Sequence, residues 1–219
     1  MRTVIRAVLV LIVVAAGIGG AWADDWVSAT VTEVFSASRD HFVRVTPGKS
    51  WGDTIGFKGA AKGPYASAEF YRRQSDRSYK LMHTVTLLNP VAPVGAFVTN
   101  DGRLITIDNW HNRGYGAAVA IYDAAGKVVM AYALSDLFSA EEVEAFSHSV
   151  SSIHWHNGPV YLNADQRTLY VMIRSGVDLV IGVESGNYAY CETREGSYLC
   201  RNSNAERNWR GYADAVPAR

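Results

Sequence analysis

Cysteine is scarce in this chain: 219 residues hold two, Cys191 and Cys200. They do not form a Cys-x-x-Cys pair, so the redox and thiolate-metal motifs built on that spacing are missing. A surplus of charge is missing as well. Twenty-one Lys and Arg side chains face twenty-one Asp and Glu, which leaves no overall field to gather nucleic acid. No apolar run beyond the N-terminus approaches the length of a membrane span, and that excludes a polytopic membrane protein. A composition 48% apolar and 19% charged excludes disorder, collagen and coiled coil. Several familiar catalytic fingerprints are also missing. There is no Ser-x-x-Lys or His-Glu-x-x-His, and no phosphate or dinucleotide loop. Ser147-His148-Ser149 is adjacency, whereas a triad is a spatial arrangement. Asp53, Asp101, Asp108, Glu184 and Glu192 are too scattered to nominate an acid/base pair.

The N-terminus reads as an export signal. Arg2 and Arg6 precede an apolar run over 7–18, and Ala21-Trp22-Ala23 is a small-x-small cleavage site. The run is shorter than the about 20 residues a spanning helix needs, so a retained anchor is the weaker alternative. Cleavage near Ala23 removes both arginines and leaves a slightly acidic, exported chain over 24–219, periplasmic or secreted, with no transmembrane segment. The cysteines agree with export. If Glu195-Gly196 forms a two-residue turn, Cys191 faces Cys200 across a hairpin, where a disulfide closes and an oxidising compartment preserves it.

Short β-type segments fill the rest. Strands are expected at 27–34, 42–45, 68–71, 81–88, 95–98, 104–107, 119–122, 128–134, 160–162, 168–173, 179–183 and 188–191. Turn clusters such as Asn100-Asp101-Gly102 and Ala124-Ala125-Gly126-Lys127 separate them. One inserted short helix is expected after Ser139, which forms a capping box with Glu142 and is followed by apolar Val143 and Phe146. The tail 201–219 is polar and is expected to fray or to cover an edge strand.

A weak repeat runs through these strands. The segments 35–45, 97–107 and 161–171 each begin on an aromatic residue (Phe35, Phe97, Tyr161) and read strand, Asp-containing turn, strand. A second echo relates Phe70-Tyr71 and Tyr79-Lys80-Leu81 to Ile121-Tyr122 and Gly126-Lys127-Val128. Each period of about sixty residues holds about four strands, the content of one propeller blade. The strand, Asp-Gly turn, strand pattern and the hairpin Tyr122-Asp123-Ala124-Ala125-Gly126-Lys127 resemble blades of the NHL and YVTN type. The stretch from Phe35 through Cys200 resembles a group of exported bacterial proteins of unassigned function. The resemblance implies a mainly β, propeller-like fold of repeated four-stranded antiparallel sheets, and carries over no catalytic residue. The chain holds about three periods, whereas propellers typically have about four to eight blades. Either short sheets fit four blades, or the blades form an open stack, or the fold is a β-sandwich.

Two segments carry chemistry. Between strands, 107–116 gathers Asp108, Asn109, Trp110, His111, Asn112, Arg113 and Tyr115 with two glycines, a recipe for a loop that stacks on and hydrogen-bonds a sugar or peptide. The plainer reading is a long connection whose Asp and Asn satisfy their own backbone. In His154-Trp155-His156, alternation on a strand sends both imidazoles to one side, where His111, His148 or Asp108 could complete a metal site. The plainer reading is a histidine pair flanking a packing Trp155; otherwise Trp155 joins Asp108, Asn109, Trp110 and His111 as a candidate binding residue. The glycine-rich connection 46–65, with Trp51 and Phe57, is long for a compact domain and is expected to join 108–116 in roofing one face of the sheets. These features point to a non-enzymatic binding or interaction module of the bacterial envelope, without cofactor, whose partner is an envelope protein, peptide or glycan. A metal-dependent hydrolase using His154 and His156 is the alternative.

Overall fold

The computed structural model describes residues 26–194 and 197–202. The expected signal segment, the expected turn at Glu195-Gly196 and positions 203–219 of the tail lie outside the described residues.

The fold is mainly β, and its sheets are antiparallel and open. The first sheet runs β1 (Thr32–Phe35), β2 (His41–Thr46), β3 (Ser67–Arg73), β4 (Tyr79–Thr86), each strand beside its sequence neighbour. The second runs in the same way through β5 (Pro93–Val98), β6 (Leu104–Asn109), β7 (Val119–Tyr122) and β8 (Val128–Tyr132). Helices α1 (Leu134–Leu137) and α2 (Ala140–Ala145) follow, then a small hairpin of β9 (Ser147–His148) and β10 (Ile153–His154). The third large sheet has five strands: β11 (Val160–Leu162), β12 (Thr168–Arg174), β13 (Val177–Gly182), β14 (Tyr188–Arg194) and β15 (Ser197–Asn202).

Several boundaries differ from expectation. Two helices stand where one was expected. The strand expected at 128–134 stops at Tyr132, because Ala133 and Asp136 cap a helical turn: the Asp136 carboxylate accepts from Ala133 N at 2.8 Å. The capping box at Ser139 forms as read, with Ser139 N donating to Glu142 Oε2 at 2.8 Å and Glu142 N to Ser139 Oγ at 3.2 Å. The strand expected from 27 begins only at Thr32. Arg201 and Asn202, assigned from sequence to the tail, extend β15.

Five turns share one design. In each, a β-turn is followed by a residue with positive φ that lets the chain re-enter the ladder. Arg39, Arg77, Gly102, Gly126 and Gln166 take that position, with φ between 59° and 87°. The backbone N–H of each returns to the carbonyl three residues earlier, at Ser36, Gln74, Thr99, Asp123 and Asn163 respectively. Four of those first residues add a side-chain acceptor for the N–H that closes the loop. Ser36 Oγ takes His41 N, Thr99 Oγ1 takes Arg103 N, Asp123 Oδ1 takes Lys127 N, and Asn163 Oδ1 takes Thr168 N. The three aligned segments each contribute the first hairpin of one large sheet, and their turns touch. Ser38 N donates to Asn100 Oδ1 at 2.8 Å, and Asn100 N donates to Gln166 Oε1.

Strand alternation then builds two cores on the second sheet. Leu104, Ala120 and Tyr122 meet Val43, Val45, Ala68 and Phe70 of the first sheet. Their neighbours Ile105, Ile107, Val119 and Ile121 meet Leu169, Val171, Leu179 and Ile181 of the third, together with Leu134, Leu137, Phe138 and Trp155. Every residue of β6 and β7 is therefore buried. At the far edge, β14 and β15 pair in the expected register, Cys191 with Cys200, and the two cysteines are disulfide-bonded.

Candidate functional site

The chemistry-bearing loop leaves the sheet at the end of β6. Alternation alone would send Asp108 to the same face as Leu104 and Thr106. Its backbone instead turns left-handed, with φ 56°, a region Asp tolerates better than most residues. The carboxylate thereby reaches the core that holds Ile105, Ile107 and Trp155. It is fully buried, and both oxygens are engaged. Oδ1 accepts from Trp155 Nε1 at 2.7 Å and from Gly114 N at 2.8 Å. Oδ2 lies 3.1 Å from His156 Nε2 and 3.6 Å from Arg113 Nε. Arg113 Nη2 is also 3.2 Å from His156 Nε2. With the His156 proton on Nε2 the ring donates to the carboxylate, and Nδ1 is then a buried acceptor with no partner among the described residues. Asp108 thus ties the end of β6, the loop at 110–116 and the segment after β10 to one point. Gly114 completes the knot. Its φ is 75°, and an added Cβ would sit 2.9 Å from the Cβ and the carbonyl oxygen of Ile153.

The amides of the loop also face inward. Asn109, nearly fully buried, donates to Tyr115 O at 2.6 Å and accepts from Asn89 Nδ2 at 2.8 Å. Asn112 works as a clip on the long connection. Its Oδ1 accepts from Ile55 N at 2.6 Å, and its Nδ2 donates to Ile55 O at 3.2 Å and Ser151 O at 3.1 Å. The connection is itself ordered by backbone bonds, among them Gly48 N to Val91 O and Gly52 N to Ala61 O. Beside them, the Asp53 carboxyl is held below its ordinary value, chiefly by the hydrogen-bonded Lys62 ammonium and then by the Ser50 hydroxyl.

The aromatic rings gather at the surface, half-buried except for the exposed Phe57. Trp26 stacks on His111 at 5.3 Å and tilts against Trp110 at 5.3 Å. Trp51 and Phe57 meet His111 edge-on at 5.1 and 5.2 Å, and each other at 5.1 Å. The Trp110 indole donates to Val27 O. Five rings from three separate stretches of chain therefore enclose one another at the surface, where Phe57 and Ile55 are exposed.

The predicted site residues divide accordingly. Asp108, Asn109 and Trp155 lie inside and hold backbone and each other, while Trp110 and His111 join the ring cluster. His156 reaches Asp108. His154 instead lines a cleft under α2 whose walls include neither His156 nor Asp108. Among the described residues no group of three or more His, Cys, Asp or Glu side chains gathers around one point. Trp26 was not singled out by sequence, Asn112 and Arg113 were read only as members of the 107–116 loop, and Trp51 and Phe57 were not read as partners of His111. The signal available for them was the concentration of large rings in otherwise glycine-rich or polar stretches. No protein-family model matches this chain, and no curated protein matches it closely enough to indicate kinship.

Proposed function

We propose that this protein is an exported, non-enzymatic binding module of the bacterial envelope, built as an open stack of propeller-like blades, whose recognition surface is the ring cluster Trp26, Trp51, Phe57, Trp110 and His111. The observation that carries the reading is the division of labour in the loops. The polar groups that chemistry would need are spent on the protein's own backbone and side chains, and the rings gather half-buried at the surface with Phe57 exposed. Aromatic rings at a surface supply large, stiff contact area for sugar faces or apolar side chains. The blade arrangement is supported by the central sheet, which packs a different neighbour on each face, and by the line of first-hairpin turns from Ser38 through Asn100 to Gln166. Export is supported by the N-terminal pattern and by the disulfide. Among the described residues no helix is long and apolar enough to cross a membrane.

The test is a titration of the mature chain with cell-wall glycan fragments and with an aromatic-rich peptide library, followed by intrinsic tryptophan fluorescence. Trp51→Ala combined with Phe57→Ala is expected to weaken the ligand that binds by about tenfold or more, since each lost ring contact is worth about 0.5–1.5 kcal/mol. Undiminished binding in that variant, with native circular dichroism, would remove the ring cluster from recognition.

A further inference from the structure

Away from the ring cluster, a cleft of about 650 Å³ opens between α2 and the inner face of the third sheet. That volume lies within the about 300–1,000 Å³ typical of small-molecule sites. Its floor is apolar. Phe138 packs against Phe146 at 5.0 Å and Tyr190 at 5.6 Å, and Ile173 and Val177 continue the surface along β12 and β13. The Tyr190 hydroxyl donates to Leu137 O, which pins the ring as a wall, and burial pushes its phenol well up, so the wall stays uncharged.

The mouth is lined by charged and polar side chains. Its two carboxylates already accept: Glu142 from Ser139 N at 2.8 Å, and Glu192 from Arg201 Nη2 at 3.2 Å. Of the other polar side chains that line it, Ser147, His154, Asn157 and Arg174, the two that can carry positive charge, Arg174 and His154, have no hydrogen-bond or ion-pair partner among the described residues. An apolar floor beneath an unpaired guanidinium and imidazole is complementary to a molecule with an apolar body and an anionic head. We infer that this cleft binds a small amphipathic carboxylate, its chain over Phe138, Phe146, Ile173 and Val177 and its carboxylate on Arg174 and His154. The site shares no residue with the ring cluster and does not depend on its role. It does depend on the disulfide, which holds β15, and with it Arg201, against β14.

Decanoate and decyltrimethylammonium, which share a tail and differ in the sign of the head, are the probes, titrated below micelle formation into the mature, oxidised chain by calorimetry. Decanoate is expected to bind about tenfold or more tightly than the cation, the worth of one hydrogen bond to a charged group. Arg174→Ala with His154→Ala, both outside the buried core, is expected to cost decanoate about tenfold and to leave the cation unchanged. Ile173→Trp, which fills the floor, is expected to abolish both. Trp51→Ala with Phe57→Ala is expected to leave decanoate binding intact, which separates failure of this site from failure of the ring cluster. Absent decanoate binding, equal affinity for the two heads, or an unchanged affinity in the Arg174/His154 variant would each overturn the assignment.

Discussion

Replacing Asp108 tests the structural logic of the loop most directly. In Asp108→Ala, Trp155 Nε1 and Gly114 N lose their acceptor in a site with no solvent, at about 1–3 kcal/mol for each unsatisfied group. His156 loses its hydrogen-bond acceptor and Arg113 its counter-charge. The first loss counts for more, because the His156 side chain is 9% exposed, whereas the Arg113 side chain, 27% exposed, recovers water. Alanine must also hold a left-handed φ of 56°, which costs about 1 kcal/mol more than it costs Asp. These contributions overlap, and together they predict a destabilisation of about 3–6 kcal/mol. Asp108→Asn keeps an oxygen for Trp155 and Gly114 and tolerates the left-handed backbone, but turns an N–H₂ toward His156 and Arg113. It should cost about 1–3 kcal/mol. The assay is urea unfolding of the mature, oxidised protein followed in parallel by tryptophan fluorescence and far-UV circular dichroism. The expected result is an ordered fall in the midpoint, wild type above Asn above Ala, at unchanged m-value. A loss below about 1 kcal/mol for Asp108→Ala, or an Asn variant less stable than the Ala variant, would refute the claim that this carboxylate organises the loop.

Two further outcomes follow from the geometry. The disulfide spans nine positions of sequence, and removing it as Cys191→Ala with Cys200→Ala should cost about 2–3 kcal/mol and speed amide hydrogen exchange across Ser197–Asn202 before β13; equal exchange in both strands would contradict it. The Asp53 carboxyl, with Lys62 and then Ser50 pulling its folded value below the ordinary 3.8, should stabilise the 46–65 connection above that pH and cease to do so as the pH falls through the folded value. A carbon-detected titration of Asp53 should therefore find it below 3.8 and find it returned toward 3.8 in Lys62→Met; a wild-type value at or above 3.8 would sink this reading.

What the sequence determined by itself was local. The alternation of β-branched and aromatic residues with turn clusters set strand after strand. Ser139 and Glu142 set the cap of α2, and the placement of Cys191 and Cys200 set the hairpin register, because each depends on residues within a few positions of one another. The positive-φ turns were legible only at Gly102 and Gly126. Arg39, Arg77 and Gln166 occupy the same conformation without glycine's signature, and the hydrogen bonds around them hold it. Tertiary structure decided the rest. Alternation predicted that His154 and His156 would share a side, yet β10 ends at His154, so His156 departs toward Asp108 while His154 opens on the cleft. Asn109 and Asn112 read equally well as ligand-binding amides or as backbone clips; which they are depended on Asn89, Tyr115 and Ile55, up to 57 positions away in sequence. A side chain's donors and acceptors are fixed by its chemistry, but the partner that engages them is chosen by the packing of distant segments.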